Sequence, residues 1–317
     1  MRAGLLLSGR RPAREAVAIA VEAEHLGVEE VWVSEDYCER GAFALAGAVA
    51  QATSRVRVGL GVVNPWTRHP VLLAMEFAAL DELAEGRAVL GLGASNARWM
   101  QEDLGIPFQR PLARLRECVD VLRPLLAGKR VDHDGSAWQV HAQLAFTPAR
   151  PAPPLILGVK GENAIALAAE TGDGVLLSLL AGPSYIGWAR QVLGPDADVS
   201  SYVAFSCDTD ASAARDRIRP LVARFLGVHG EHQITRCAGV DPDLAAAFRA
   251  GLLAGAPRVD LVDDALLDAV AVAGDLGDCR AGIRRLASAG LDCVVLSDDV
   301  PEAELLAVLE AVTVPTG

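Results

Sequence analysis

Short apolar segments alternate with longer amphipathic stretches along almost the whole chain. Most of the apolar segments are uninterrupted, which is typical of parallel strands that are covered on both faces. We therefore predict eight strands, at Ala3–Leu7, Glu30–Ser34, Val56–Val63, Ala88–Gly93, Leu155–Val159, Gly174–Leu179, Ser201–Ser206 and Asp292–Leu296.

The stretches between these strands have helical periodicity. In the segment 12–26 apolar residues recur every three or four positions, with Pro12 at the start and Gly27 at the end, as is common in helices. Alternating strands and helices imply parallel pairing through right-handed crossovers. Eight such units favour an α/β fold closed into a single (β/α)8 TIM barrel. An open, doubly wound sheet is the alternative.

We expect residues 1–317 to form a single barrel domain, because α/β barrels often exceed about 250 residues. Three regions are longer than ordinary loops: about 94–109 after the fourth strand, about 129–147, and about 211–274 after the seventh. The second has an alternating pattern that predicts a hairpin, and the third contains predicted helices at Asp241–Leu253 and Asp263–Val272. Insertions at the carboxyl ends of barrel strands commonly build substrate pockets.

Composition narrows the functional classes. The chain is 51% hydrophobic and 22% charged, which indicates a folded globular protein. A net charge of −12 argues against a nucleic-acid partner, and the apolar segments are too short to span a membrane. The six cysteines are scattered without a CxxC pair, so we expect reduced thiols and a cytoplasmic location. The first apolar run stops at Ser8-Gly9 and charged residues follow it, so we predict no export signal.

Two kinds of motif suggest other sites but lack parts that those sites need. The Gly-x-Gly elements at 59–61 and 91–93 resemble a dinucleotide-binding loop, yet Asn64 and Asn96 replace its third glycine. Glycines that end barrel strands instead allow a flat ligand to approach the backbone closely. His229 and His232 form a close histidine pair without further ligands, so we predict no metal site.

The segment that follows the third strand carries the most specific signal. The run GVVNPWTRHPVLLAMEFAALDELAEGRAVLGLG, from Gly61 to Gly93, resembles the hallmark segment of the bacterial luciferase-like superfamily. Within it, NPWTRHP resembles the branch that uses the deazaflavin coenzyme F420, such as methylenetetrahydromethanopterin reductase. The runs LGIPFQRPLARLRECVDVLRPLLAGKRV and PPLILGVKGENAIALAAETGDGVLL continue the resemblance in order. It covers nearly the whole chain and is weakest across 206–273.

The resemblance implies a barrel that binds a flavin-type ring at the carboxyl ends of its strands. It implies a non-prolyl cis peptide between Gly61 and Val62, in a bulge of the third strand, with Val62 against the face of the ring. Asn64, which follows the third strand, and Ser178, which lies near the end of the sixth, complete the part of the predicted cofactor site around the ring.

The resemblance also implies a phosphate site after the fifth strand. Relatives bind the cofactor phosphate there through backbone amides, and the matching residues are Val159, Lys160 and Gly161. They precede a helix, whose amino terminus favours anions. The alternative for Lys160 is a solvated surface side chain.

The chain departs from the resembled pattern where a proton donor is expected. Deazaflavin-dependent relatives often have Asp-His after the second strand and an acidic residue after the fourth, whereas this chain has Glu35-Asp36 and Asn96. We predict Glu35, Asp36 and Asn96 as catalytic residues, with Tyr37 as a further proton donor, because carboxyls in an apolar pocket can have raised pKa values. The alternative for the two carboxylates is capping or pairing with an arginine such as Arg68.

Three functions remain open on this evidence. The leading hypothesis is a coenzyme F420-dependent oxidoreductase that transfers a hydride between the deazaflavin and a small organic substrate, by C=C or C=N reduction or alcohol oxidation. The alternative is an FMN-dependent luciferase-like monooxygenase, and the third is a non-catalytic barrel with a degenerate site. The resemblance also implies a homodimer through the second and third helices.

Overall fold

A closed barrel of eight parallel strands forms the centre of the computed structural model, which describes residues 1–313. The strands of this part of the chain are β1 (Arg2–Leu7), β2 (Glu30–Val33), β3 (Arg57–Val63), β4 (Ala88–Gly93), β5 (Val131–Asp134), β6 (Gln139–Ala142), β7 (Leu155–Gly158), β8 (Gly174–Leu177), β9 (Asp198–Val203), β10 (Phe205–Cys207), β11 (Val272–Gly274) and β12 (Cys293–Ser297). Around the barrel the order is β1, β12, β9, β8, β7, β4, β3 and β2, and β2 pairs with β1 again.

Helices cover the outside of the barrel. They are α1 (Ala13–His25), α2 (Ala42–Ala52), α3 (Pro70–Leu83), α4 (Pro111–Leu126), α5 (Glu162–Thr171), α6 (Pro183–Leu193), α7 (Ala211–His229), α8 (Gln233–Cys237), α9 (Pro242–Leu253), α10 (Asp264–Val270), α11 (Leu276–Ser288) and α12 (Glu302–Thr313). A π-helical turn spans Arg98–Asp103 and a 3-10 turn spans Val259–Leu261. No helix within residues 1–313 combines the length and the hydropathy of a membrane span.

The (β/α)8 barrel confirms the predicted fold, and all eight predicted strands contribute to it. The seventh differs in its bounds: Ser201–Ser206 was expected, but the barrel strand β9 begins at Asp198 and ends at Val203. Residues Phe205–Cys207 form the separate strand β10, which pairs in parallel with β11. The apolar pattern did not indicate the start of β9 because Asp198 and the serines that follow are polar.

A buried ion-pair network explains why a strand can begin with Asp198. Glu30 on β2 is 1% exposed and lies 2.7 Å from Nε of Arg2 and 2.7 Å from Nη1 of Arg57. Asp198 lies 2.6 Å from Nη2 of the same Arg2, and the Trp32 indole donates to Glu30 over 2.8 Å. These charges close the amino-terminal end of the barrel, opposite the mouth, because buried charges need partners.

The three predicted insertions have defined structures. The hairpin expected near 129–147 is present as the antiparallel pair β5 and β6. The region near 94–109 contains the π-helical turn, and the region 211–274 contains α7 to α10 and β11. The predicted helices at Asp241–Leu253 and Asp263–Val272 correspond to α9 and α10, while α7 was not predicted. These insertions, apart from the hairpin, follow β4 and β9, the fourth and seventh barrel strands.

Candidate active site

A bulge in β3 forms the floor of the barrel mouth. Leu60 pairs with Leu90 of β4 but Val63 pairs with Leu92, so three steps along β3 oppose two along β4, which is the pattern of a β-bulge. The peptide bond between Gly61 and Val62 inside this bulge is cis, as the family resemblance implies.

Glycines on the neighbouring strands make room for Val62. A Cβ atom on Gly93 would lie 2.5 Å from Cγ2 of Val62, and one on Gly158 would lie 2.6 Å from Cγ1. No residue with a side chain fits at either position, because real Cβ atoms essentially never approach other heavy atoms this closely. Val62 packs on the apolar cluster inside the barrel and remains partly exposed above it. It therefore presents an apolar surface to anything that enters the mouth.

Tyr202 supports this bulge from the opposite wall. The hydroxyl of Tyr202, on β9, donates a hydrogen bond of 2.5 Å to the carbonyl oxygen of Gly61. Burial raises the pKa of this phenol far above its ordinary value, and the charge of Asp36 raises it further, so Tyr202 remains a donor at neutral pH. The sequence analysis did not identify Tyr202 as a site residue. The polar residues at the start of its strand do not indicate which side chains face the barrel interior.

A cavity of about 120 Å³ opens above this floor. Its walls contain six of the residues predicted from the sequence and two others: Glu35, Asp36, Tyr37, Gly61, Val62 and Asn64, together with Ser95 and Trp99. The rings of Tyr37 and Trp99 meet edge to face with centroids 5.5 Å apart. Pockets for small molecules commonly measure about 300–1,000 Å³, so a cofactor ring and a substrate would also occupy the open part of the mouth.

The two adjacent carboxylates differ in their surroundings. Glu35 accepts a 2.6 Å hydrogen bond from Arg68, which is the arginine pairing that the sequence left open. The Asp36 carboxylate makes no hydrogen bond or ion pair with residues 1–313 and faces the cavity. Burial and the negative charge of Glu39 raise the pKa of Asp36. Of the two, only Asp36 combines a raised pKa with a carboxyl free of partners in the described chain, and its predicted role as a proton donor stays a prediction.

Asn64 holds the loop that follows β3. It is 3% exposed, and its side-chain oxygen accepts hydrogen bonds from the backbone of Trp66 (2.8 Å) and Thr67 (3.2 Å). Its amide nitrogen donates to the Tyr37 hydroxyl. These contacts use both ends of the amide, so Asn64 shapes the wall of the cavity through the loop.

Two predicted residues lie at the rim instead of the cavity wall. Asn96 is exposed, and its side-chain oxygen accepts a 3.0 Å hydrogen bond from the backbone of Trp99, at the start of the π-helical turn. Ser178 follows β8 and is partly buried, and its carbonyl oxygen accepts from the backbone of Ala181 over 3.3 Å. Their predicted roles in catalysis and in cofactor binding stay predictions.

The predicted phosphate residues lie at the amino terminus of α5. Val159 is buried, while Lys160 is partly buried and extends toward the insertion instead of solvent. Its ammonium group lies 2.9 Å from Nδ1 of His229 on α7, and Nε2 of His229 donates to the carbonyl oxygen of Leu179 over 2.9 Å. Burial, followed by the charge of Lys160, lowers the pKa of His229 to about 3, so His229 is neutral and accepts from Lys160.

Known proteins share both the sequence and this architecture. The family model for luciferase-like monooxygenases matches residues 1–293. The chain is 29% identical over 292 residues to a 5,10-methylenetetrahydromethanopterin reductase of Methanolobus tindarius, with 88% of each chain covered. It is 30% identical over 294 residues to the reductase of the same name from Archaeoglobus fulgidus, with 88% of this chain and 87% of the relative covered.

The fold also matches a solved structure closely. A coenzyme F420-dependent tetrahydromethanopterin reductase from Methanopyrus kandleri superposes with a TM-score of 0.84 at 24% identity, covering 99% of this chain and 98% of that one. This likeness concerns the fold, and the match over residues 1–293 concerns the sequence itself. The chain therefore belongs to the luciferase-like monooxygenase family.

Proposed function

We propose that this protein is a coenzyme F420-dependent oxidoreductase that transfers a hydride between the deazaflavin and a small organic substrate. The observation that carries the proposal is the cavity above Val62, which has an apolar floor and the unpaired acid Asp36 in its wall. The amino terminus of α5, which favours anions, follows the carboxyl end of β7 on the same side of the barrel. The relatives by sequence are methylenetetrahydromethanopterin reductases, and the solved reductase of the same fold is coenzyme F420-dependent.

The residues present fit a flat ring with a phosphate-bearing side chain. Gly93 and Gly158 leave space for Val62 to lie as a flat apolar floor, since a side chain at either position would collide with it. Lys160 and the amino terminus of α5 provide positive charge for a phosphate. When bound, the deazaflavin supplies the hydride chemistry, and the protein supplies position and electrostatics.

Asp36 is the residue that we assign to proton transfer. Reduction of a C=C or C=N bond adds a hydride to one atom and requires a proton at the other. The carboxyl of Asp36 faces the cavity without another partner, and its raised pKa favours the protonated form that can donate. Glu35, by contrast, is held by Arg68 and orients the loop beside Asp36.

Titration of the purified protein with oxidised and reduced deazaflavin, and with FMN, tests the proposal. We expect tight binding of the deazaflavin with a change in its absorbance. Tight binding of reduced FMN alone would favour the monooxygenase, and binding of neither would favour a non-catalytic barrel.

A homodimer is part of the proposal. The outer face of α3 exposes three large apolar side chains: Leu72 at 53%, Met75 at 45% and Leu83 at 46%. Leu83 reaches α2, where its Cδ1 lies 3.8 Å from the position of a Cβ on Gly47, so the two helices share one surface. A contiguous apolar patch of this kind commonly marks an interface, and a second copy of the chain would cover it.

The proposal treats the chain as one cytoplasmic domain. Leu180 and Ala204, which lie in loops of the barrel, pack in the same apolar cluster as Val222 of α7 and Phe248 of α9, which supports packing of the insertion against the barrel. The six cysteines are free thiols, as is usual in a reducing compartment.

A further inference from the structure

The insertion contributes side chains to the turn before α5. Gly161 immediately precedes this helix and has a φ of +90°, which favours glycine. A Cβ at Gly161 would lie 2.9 Å from Nε2 of His232, so the His232 imidazole covers the turn. His232 comes from the loop between α7 and α8, 71 positions along the chain, and only tertiary packing brings it here.

The turn carries charges of both signs: Glu162 stands in the first turn of α5 and Glu231 lies 3.9 Å from Arg236, but neither pairs with Lys160. Lys160 does not form an ion pair with any carboxylate among residues 1–313, and its hydrogen-bond partner is the neutral His229. Burial lowers the pKa of Lys160, and the charge of Arg249 lowers it further. Burial and the charge of Lys160 also lower the pKa of His232, to about 4. Cations that are shielded from solvent are normally paired, so an anion from outside the chain would give Lys160 the partner that it lacks.

A buried hydroxyl at the same turn also lacks a partner. Tyr185 of α6 is 1% exposed, and its hydroxyl forms no hydrogen bond of good geometry within residues 1–313. Burial raises the pKa of Tyr185 to about 12, and the backbone amide of Gly161 lowers this pKa in part. Because the Gly161 amide is close enough to affect it, the Tyr185 hydroxyl lies beside the amino terminus of α5. A donor left unsatisfied in the interior costs free energy unless a ligand completes it.

We propose that His232, together with Lys160 held in place by His229, contacts the phosphate of the cofactor directly, so that the insertion closes a site that the barrel alone leaves open. In its Nε2–H form His232 donates from above Gly161, and the free N–H groups of α5 donate from below. His229 is a positioning residue, since it bridges Lys160 and the Leu179 carbonyl. This inference rests on the proposed function. It means that the insertion allows the protein to distinguish deazaflavins that carry a phosphate from those that do not.

Affinity measurements with two ligands isolate the phosphate. The dissociation constants of coenzyme F420 and of a deazaflavin lacking the phosphate side chain are measured for the wild type, His232→Asn and Lys160→Met. Asparagine retains the capping of α8 that His232 provides but cannot reach the turn. The controls are His25→Asn, at an exposed histidine, and Lys129→Met, at the other of the two lysines in the chain.

We expect each site variant to weaken coenzyme F420 binding by about tenfold, the effect of losing one charge-assisted hydrogen bond. Binding of the phosphate-free deazaflavin should stay within about twofold of the wild type, and the controls should match the wild type with both ligands. Equal weakening of both ligands, or of neither, would overturn the inference while leaving the proposed function intact.

A second measurement does not depend on the ring. The protein has six histidines, so the imidazole signals can be assigned by NMR and followed during titration with inorganic phosphate against chloride at equal ionic strength. Phosphate should shift the His232 signals of the wild type and shift those of Lys160→Met at higher concentrations. Unmoved His232 signals at saturating phosphate would refute the inference. If the wild type binds no deazaflavin at all, the proposed function fails and this titration alone decides the phosphate site.

Discussion

The Tyr202 hydroxyl and the Gly61 carbonyl oxygen are joined by a hydrogen bond of 2.5 Å across the barrel mouth. Glycine is required at position 61, because a Cβ there would lie 2.2 Å from the same hydroxyl. The pair therefore fixes how far the bulge of β3 projects, and with it the height of the Val62 floor.

Replacing Tyr202 by phenylalanine should destabilise the bulge. The Gly61 carbonyl would lose its donor in the barrel interior, which costs about 1–3 kcal/mol in the free energy of unfolding. Urea denaturation measures this loss, and Tyr185→Phe is the matched control, because the Tyr185 hydroxyl forms no hydrogen bond of good geometry within the described chain. Equal stability of the two variants would show that the Tyr202 bond contributes nothing.

Replacing Val62 by arginine should abolish ring binding. The longer side chain would occupy the cavity above the floor, since Gly93 and Gly158 leave space for no more than valine below it. We expect deazaflavin affinity to fall by about 100-fold or more. Overpacking alone costs about 1–3 kcal/mol, and the arginine side chain would also fill the space that the ring needs. Val62→Ala should bind with a smaller loss.

The control is Val192→Arg, on the exposed surface of α6. Circular dichroism and thermal unfolding establish that each variant is folded. Unchanged turnover in folded Val62→Arg protein would place the cofactor elsewhere.

Replacing Asp36 by asparagine should remove the proton donor. A reductive reaction needs Asp36 protonated, so activity should be highest below its raised pKa and fall as the pH rises through it. Asp36→Asn should lower kcat by about 100-fold or more and abolish this pH dependence, with little change in deazaflavin affinity.

Glu35→Gln provides the comparison for Asp36. It releases Arg68 from one ion pair but leaves the second, with Glu76 at 2.9 Å, so we expect kcat to change only by a few-fold. A pH–rate profile for both variants makes the test. Full activity in Asp36→Asn would assign the proton to another group.

The fold could be predicted from the sequence further than the site could. Uninterrupted apolar runs locate strands because both faces of a barrel strand are buried. This signal does not mark the start of β9, because Asp198 begins that strand in an ion pair with Arg2. The family motif located the Gly61–Val62 bulge. No local pattern could pair Lys160 with His229, which lies 69 positions away, because the contact depends on how the insertion packs against the barrel.

Aspartate at two exposed positions of α3 should separate the proposed dimer. Leu72→Asp with Met75→Asp places two charges in the apolar face shared with α2, and burying unpaired charge in an interface is costly. Light scattering after size-exclusion chromatography should show a dimer for the wild type and a monomer for the double variant. Leu253→Asp, on α9 and 74% exposed, is the control and should remain dimeric. A monomeric wild type at micromolar concentration would refute the dimer.

Glu117 should make the protein sensitive to acid. Its carboxylate accepts hydrogen bonds from the backbone of Ala137 and Trp138 and from Ser136 and His133, and so fastens the β5–β6 hairpin to α4. Burial alone would raise the pKa of Glu117, but these hydrogen bonds lower it to about 2. A carboxyl with a lowered pKa in the folded state contributes stability above its unfolded pKa of about 4.3, and loses that contribution as the pH falls toward 2.

Glu117→Gln isolates this contribution. At pH 7 the variant should be less stable by about 2–3 kcal/mol in urea denaturation, because glutamine keeps the shape but loses charge-assisted hydrogen bonds. The difference from the wild type should shrink steadily between pH 5 and the folded pKa of about 2, as the wild-type carboxylate becomes protonated. Glu170→Gln, which removes an exposed partner of Arg116, should cost little at any pH. A Glu117→Gln difference that stays constant from pH 7 to pH 3 would mean that the hydrogen bonds do not depend on the charge, and the lowered pKa would then be wrong.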